Sequence, residues 1–116
     1  MNILSQTDTK NVRRLVSFVE EFRKIDPEMQ AQQILLFLHV AGKSGISMKE
    51  LASLTGLAPS SVSRNVAALS NLHRKGHPGH DLMVAYEDPD DRRNKLVKLT
   101  YKGQLVYRNL VETLGN

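Results

Sequence analysis

KELASLTGLAPSSVSRNVAAL, residues 49–69, is the stretch whose reading decides the fold. Ser47-Met48-Lys49-Glu50 leads into it as a capping box, in which Ser and Glu each satisfy the other's backbone N–H at a helix start. The spacing predicts a short helix with Met48, Leu51, Ala52 and Leu54 on its inner face. Gly56 then stands where a helix C-terminus takes the left-handed conformation. Pro59 suits the start of a second helix, along which Val62, Val66, Leu69 and Leu72 repeat at helical spacing. Two short helices joined by a glycine turn, with small Ala52 where they cross, read as a helix-turn-helix over residues 47–72. Behind Pro59, the outward face of the second helix carries Ser60, Ser61, Ser63, Arg64 and Asn65, with Ala67 and Ala68 further along. Arg and Asn read guanine and adenine edges, and Ser bonds to phosphates or bases. A helical hairpin in any small bundle shows the same pattern, so this motif alone leaves the function open.

Downstream, LMVAYE (residues 82–87) and KLVKLT (residues 95–100) are short β-branched segments flanking a polar DPDDRRN turn. They read as a two-stranded hairpin, a wing over residues 82–100. Its turn brings Asp88, Asp90 and Asp91 close to Arg92, Arg93, Asn94 and Lys95. The acids repel DNA unless they hold the arginines by ion pairing, and a tip arginine can reach a narrow minor groove. Thr100 then caps a last helix with Leu105, Val106, Leu110, Val111 and Leu114 as its apolar stripe and Gly115 near its stop. Upstream, Val12, Leu15, Val16, Val19 and Phe22 predict an amphipathic helix over residues 8–25, capped by Thr7, Asp8 or Thr9. Asp26-Pro27 stops it, and Pro27 and Glu28 are expected in the first turn of a second helix running to about Lys43. Ile34, Leu35, Phe37, Leu38 and Ala41 cover more than one face of that helix, which makes it the central one; Gly42 and Gly45 end it. The expected fold is mainly α with a small β-hairpin, one domain over residues 1–116.

Composition narrows the function classes. The chain is 41% hydrophobic and 24% charged, which fits a soluble globular protein rather than disorder. It has no Cys, which excludes a disulfide scaffold, a thiolate metal site and a cysteine nucleophile together. The longest apolar run, ILLFL, is too short to span a bilayer and MNILSQTDTK is no signal peptide, so the expected location is the cytoplasm, without a membrane partner. Residues 1–59 hold 7 basic and 6 acidic side chains, residues 60–116 hold 9 and 6. The net charge of +4 is thus concentrated in the half that carries Arg92, Arg93, Lys95 and Lys98. Such an excess permits nucleic-acid binding without establishing it.

A hairpin following a helix-turn-helix is the winged-helix arrangement. SMKELASLTGLAPSSVSRNVAAL followed by LMVAYEDPDDRRNKLVKLTYKG resembles the MarR-type transcriptional regulators. The D-P-D-D-R-R turn, the β-branched strand and L-T-x-K-G are its most specific part, and with the preceding helices the resemblance covers about Glu28 to Val111. It implies a second motif helix in the major groove, a wing arginine in the minor groove, and a two-fold dimer on palindromic double-stranded DNA, usually as a repressor. This chain departs from the family in two places. Between Leu69 and Leu82, where the family has a short connection, it carries SNLHRKGHPGHD, so the helix runs on or a loop protrudes. Members also continue past L-T-x-K-G through long helices that build a dimer arm; here residues 8–25 and 101–114 are expected to supply a smaller homodimer interface.

His73, Arg74 and Lys75 in the inserted segment are expected to touch the DNA backbone, aided by His77 and His80 as they protonate. His73, His77, His80 and Asp81 have ligand chemistry, but a Gly-Pro-Gly loop without Cys is a poorly preorganised site, so neither a metal nor a cofactor is expected. His39, on the apolar second helix, reads as a core or interface histidine. No Ser-His-Asp spacing stands out and Gly76-His77-Pro78-Gly79 lacks the Lys-Ser/Thr ending of a P-loop, so no enzyme is expected. Nothing in the sequence names a small-molecule effector. A winged helix that serves protein interaction or assembly, in replication or polymerase modulation, is the alternative reading.

Overall fold

The computed structural model describes residues 2–71 and 78–115. Helix α1 (Gln6–Arg23) opens on Ser5, whose side chain accepts from Asp8 N–H while the Asp8 carboxylate accepts from Ser5 N–H at 2.7 Å. The cap is therefore Ser5 rather than Thr7, Asp8 or Thr9, and Asp8 serves as its partner one turn in. Helix α2 (Ala31–Gly42) starts later than Pro27. Asp26 takes the intervening residues into a turn: its carboxylate accepts from Glu28 N–H at 2.9 Å and its carbonyl from Met29 N–H at 3.0 Å. That turn is not continued, because Gln30 is extended at ψ 148° and becomes the cap of α2. Leu36, Phe37 and Val40 are buried along α2 at the centre of the fold; of the residues expected to cover its faces only Phe37 is fully buried, Ile34 and Leu38 pack partly on the core, and Leu35 is exposed.

After α2 comes β1 (Ile46–Ser47), then α3 (Met48–Thr55), opened by the Ser47–Glu50 capping box and closed by Gly56 at φ +72°. Helix α4 (Pro59–Leu69) follows with Pro59 in its first turn. Leu51 is buried and Met48 and Ala52 pack partly against the core, but Leu54 is 58% exposed. At 100° per residue Leu54 lies roughly 110° from the middle of the face set by Met48, Leu51, Ala52 and Thr55, so the packed face is narrower than the apolar pattern. Val62, Val66 and Leu69 are buried as expected, whereas Leu72 falls outside the described residues.

The wing is β2 (Met83–Asp88) and β3 (Asp91–Leu99), paired antiparallel from Met83↔Leu99 to Glu87↔Lys95. The hairpin turn is thus shorter than DPDDRRN, and Arg92, Arg93 and Asn94 stand on β3. The sheet has three strands in the order β1-β3-β2, because Ile46 and Ser47 pair with Val97 and Leu96. A two-residue strand carries no periodicity, and only this distant pairing makes it one.

Helix α5 (Tyr101–Glu112) is capped by Thr100, whose hydroxyl oxygen accepts from Gly103 N–H at 3.0 Å and donates to the Asp81 carbonyl at 2.6 Å. A Cβ on Gly103 would lie 2.0 Å from the Leu82 carbonyl oxygen, so L-T-x-K-G is the joint between sheet and helix. Leu110 is buried and Val106 packs partly on the core, while Leu105 and Leu114 of the predicted stripe are exposed. On α1 only Phe22 is buried; it meets Phe37 edge-to-face at 5.6 Å. Val12, Leu15, Val16 and Val19 form an exposed apolar strip. The radius of gyration is 16.0 Å, against about 13 Å for a compact chain of this length, and the long axis spans 54 Å. The molecule is a packed winged domain with an elongated arm. No helix among the described residues is long and apolar enough to cross a membrane.

Candidate nucleic-acid interface

Helix α4 packs on α2 and α3 through Val62, Val66 and Leu69, which turns the opposite side outward. Pro59, Ser60, Ser63 and Arg64 are exposed there, and Ser61 is half-buried at the edge. Asn65 is not on this face. It is 5% exposed, accepts from Gln33 Nε2 at 3.3 Å and donates to the Ser61 carbonyl at 2.9 Å and the Ser61 hydroxyl at 3.3 Å. The outward placement of Asn65 is therefore corrected: it lies beside the buried stripe and ties α4 to α2. Ala68 is likewise buried, and Ala67 half-buried.

Strand alternation sorts the wing. Arg93 and Lys95 share a face of β3 with buried Val97, toward the helices, whereas Arg92 shares the other face with Lys98, whose ammonium lies 5.1 Å over the Tyr86 ring. The Arg93 side chain is 93% exposed, and Asp91 braces it: the same carboxylate oxygen accepts from Arg93 N–H at 3.1 Å and faces its Nε at 3.4 Å. The ion pairing expected of the turn acids is present for this arginine. Asn94 is half-buried and donates to Asp88 at 3.4 Å across the turn, so it shapes the hairpin.

These elements border one groove of about 670 Å³, with Pro59 and Ser63 of α4 on one wall and Asp91, Arg93, Asn94 and Lys95 on the other. Its floor includes Met48, Lys49 and Ala52 of α3. Lys49, which sequence reading left out, adds a third cation beside Arg93 and Lys95; its exposed place in the first turn of α3 is the signal that points to it. Next to the groove the Lys43 ammonium lies 2.6 Å from the Glu50 carboxylate and, with help from Ser47, holds that carboxyl below its ordinary range. The capping box of α3 thus stays charged and tied to the end of α2.

Helix α4 does not run on into the inserted segment. It ends at Leu69, and the two ends of the segment are joined by backbone bonds: His80 N–H to the Ala68 carbonyl, Gly79 N–H to Asn71, Asp81 N–H to Ser70 and Leu82 N–H to Leu69. His80 Nε2 lies 3.2 Å from the Asp26 carboxylate, in the turn between α1 and α2. His73, Arg74 and Lys75, with His77, lie outside the described residues. Among the described residues no three potential metal ligands come together.

No protein-family model and no curated protein sequence matches the chain. Solved structures do. RV1404 from Mycobacterium tuberculosis superposes with a TM-score of 0.71 at 23% identity, over 93% of this chain and 68% of its own. The repressor CouR bound to a 23-mer DNA duplex gives 0.66 at 19% identity, over 96% of this chain and 71% of its own. MarR itself gives 0.65 at 15%, over 95% and 73%. Among the described residues, five helices, a helix-turn-helix and a three-stranded sheet ending in a wing, in this order and arrangement, make the winged helix-turn-helix fold of the MarR-type regulators.

Proposed function

We propose that the chain is a sequence-specific double-stranded-DNA-binding transcriptional regulator, a repressor working as a two-fold dimer. The observation that carries this reading is the groove in which the exposed face of α4 meets the cations Lys49, Arg93 and Lys95. A helix about 10–12 Å across with short side chains, Ser60 and Ser63 around one Arg64, fits a major groove about 12 Å wide. Arg64 then reads a base edge, while Ser60, Ser61 and Ser63 bond phosphates or bases. The braced Arg93 and exposed Arg92 extend from the same edge as the wing, where an adjacent minor groove passes. That the CouR structure of the same fold holds a DNA duplex supports the assignment.

The dimer draws on a second observation. Val12, Leu15, Val16 and Val19 present an apolar strip on a projecting α1, and Leu105 and Leu114 are exposed on α5, which packs against α1. A two-fold axis through these helices covers the strip and places two α4 helices on successive half-sites. Selection of bound sequences from a random duplex pool, with affinities at two salt concentrations, tests the whole reading. A DNA reader yields a preferred, pseudo-palindromic sequence and a log–log salt slope of about −0.9 per phosphate contact. Absence of binding at low salt overturns it in favour of a protein-assembly module.

A further inference from the structure

We infer that Gln33 on α2 and Asn65 on α4 act as positioning residues that lock the Ser61 hydroxyl as a hydrogen-bond donor toward DNA. This presupposes the DNA-reading assignment above. The inference follows from the direction of each hydrogen bond. A backbone N–H can only donate, and the Gln30 N–H donates to Gln33 Oε1 at 3.3 Å. That bond settles which way the Gln33 amide faces, so its Nε2 turns to Asn65 Oδ1, 3.3 Å away. The Asn65 amide is settled in turn. Its Nδ2 is presented to Ser61, donating to the carbonyl at 2.9 Å and to Oγ at 3.3 Å.

Ser61 Oγ thus accepts from within the protein, and its own proton is left for an acceptor elsewhere. Some helix hydroxyls donate back to a carbonyl one turn earlier, as Thr55 does to the Leu51 carbonyl at 2.6 Å and Ser70 to Val66 at 2.7 Å. Among the described residues Ser61 makes no such bond. It sits half-buried on the edge of the exposed face, between exposed Arg64 and buried Asn65 around the helix. Phosphate oxygens and the N7, O6 and O4 atoms of the major groove accept hydrogen bonds and never donate. A serine committed as donor matches them, and a serine whose proton is drawn inward does not. The helix cap of α2 therefore sets the sense of a contact made by α4.

A double-mutant cycle on the selected duplex tests the relay. Gln33→Glu keeps an acceptor for Gln30 N–H but sets a carboxylate against Asn65 Oδ1, while the Ser61 carbonyl opposes reversal of the amide, so Asn65 is pushed off Ser61 and the hydroxyl is released to donate back into α4. In the parent, Ser61→Ala is expected to weaken binding about tenfold with the salt slope unchanged, because serine carries no charge. In the Gln33→Glu background the same substitution is expected to change affinity by less than about twofold. A displaced helix would instead lose charged contacts and flatten the slope. Asn65→Asp, which still accepts from Gln33 but replaces the donor facing Ser61 by an oxygen that the Ser61 carbonyl repels and the hydroxyl can meet, gives the same loss of coupling and serves if Gln33→Glu fails to fold. Equal effects of Ser61→Ala in all backgrounds, or a flattened slope for Ser61→Ala itself, overturn the relay while leaving DNA reading intact. A parent that binds no duplex overturns both.

Discussion

Alanine at Gly103 and alanine at Gly42 are expected to move stability in opposite directions, although both glycines are helical. A Cβ on Gly103 would meet the Leu82 carbonyl oxygen at 2.0 Å and carbon at 3.0 Å, and Leu99 Cβ at 3.3 Å. Ordinary carbon–oxygen contacts begin near 3.3 Å, so α5 has to retreat from the sheet by about 1 Å. Both ends of the joint resist this. Leu82 is buried and its carbonyl accepts from Thr100 N–H at 3.1 Å, while Leu110 of α5 is buried in the same core. Overpacking costs about 1–3 kcal/mol, and loss of the Thr100 bond adds roughly 0.5–1.5 kcal/mol. Better helix propensity offsets about 1 kcal/mol. The net expectation is a loss of about 2 kcal/mol, or a drop in Tm of roughly 8 °C. At Gly42, exposed at the end of α2, a Cβ meets nothing within 4 Å. Only the entropy of the unfolded chain changes there, and Gly42→Ala should stabilise by about 0.5 kcal/mol. Urea titrations of both variants followed by circular dichroism measure the two signs. A Gly103→Ala protein as stable as the parent would refute the backbone-contact explanation of this glycine.

Arg64→Ala should cost about 1–3 kcal/mol on the preferred duplex and relax preference at one position, whereas Arg93→Ala should weaken all duplexes and reduce the salt slope by roughly one phosphate contact; fluorescence anisotropy on a panel of single-base variants distinguishes them. Leu15→Glu, at a position 63% exposed, should leave helix content intact and convert a species of roughly 26 kDa to one near the 13.0 kDa monomer in sedimentation, and a monomeric parent would remove the proposed dimer. Glu50 is held below its ordinary pKa first by the Lys43 hydrogen bond, so its stabilising charge is complete above the ordinary carboxylate pKa and lost as pH falls through the lowered folded value. Glu50→Gln should therefore be less stable than the parent at neutral pH and indistinguishable from it in strong acid; a gap that persists at low pH would assign the effect to packing.

What could be read from the sequence was what is written locally. Ser47 with Glu50, Gly56, Pro59 and Thr100 each act within a turn of their own position, and each stands where its chemistry placed it. Some differences are local, as with the Ser5 cap of α1 and the Asp26 turn before α2; the larger ones arise where the deciding partner lies far along the chain. Ile46 and Ser47 become a strand only because Val97 and Leu96 lie beside them, and nothing around Asn65 announces Gln33, 32 positions earlier. Periodicity does contain part of the latter answer: at 100° per residue Asn65 falls about 40° from Leu69 and 60° from Val62, on the buried side. Its polar character, which matches adenine so well, outweighed its angle. The polar run DPDDRRN reads as a turn that includes Arg92 and Arg93, and its Asp, Pro and Asn are poor strand residues, yet cross-strand pairing carries β3 back to Asp91.

The segment between α4 and the wing shows how the two ends of a long connection can be held together. An extension between α4 and the wing would be expected to loosen the angle between them, since the groove needs both walls. The backbone bonds that join residues 68–71 to 79–82 prevent this, the Leu82 N–H to Leu69 carbonyl bond being 2.8 Å. Leu69 and Leu82 are both fully buried, so the two ends of the segment meet in the core. Closing a longer loop costs only about 0.6 kcal/mol for each doubling of its length, which burial of two leucines readily exceeds. Thr100 then holds the Asp81 carbonyl and caps α5, which fixes the far end of the wing to the same point. Leu69, Leu82, Thr100 and Gly103 thus tie α4, the wing and α5 together at one place.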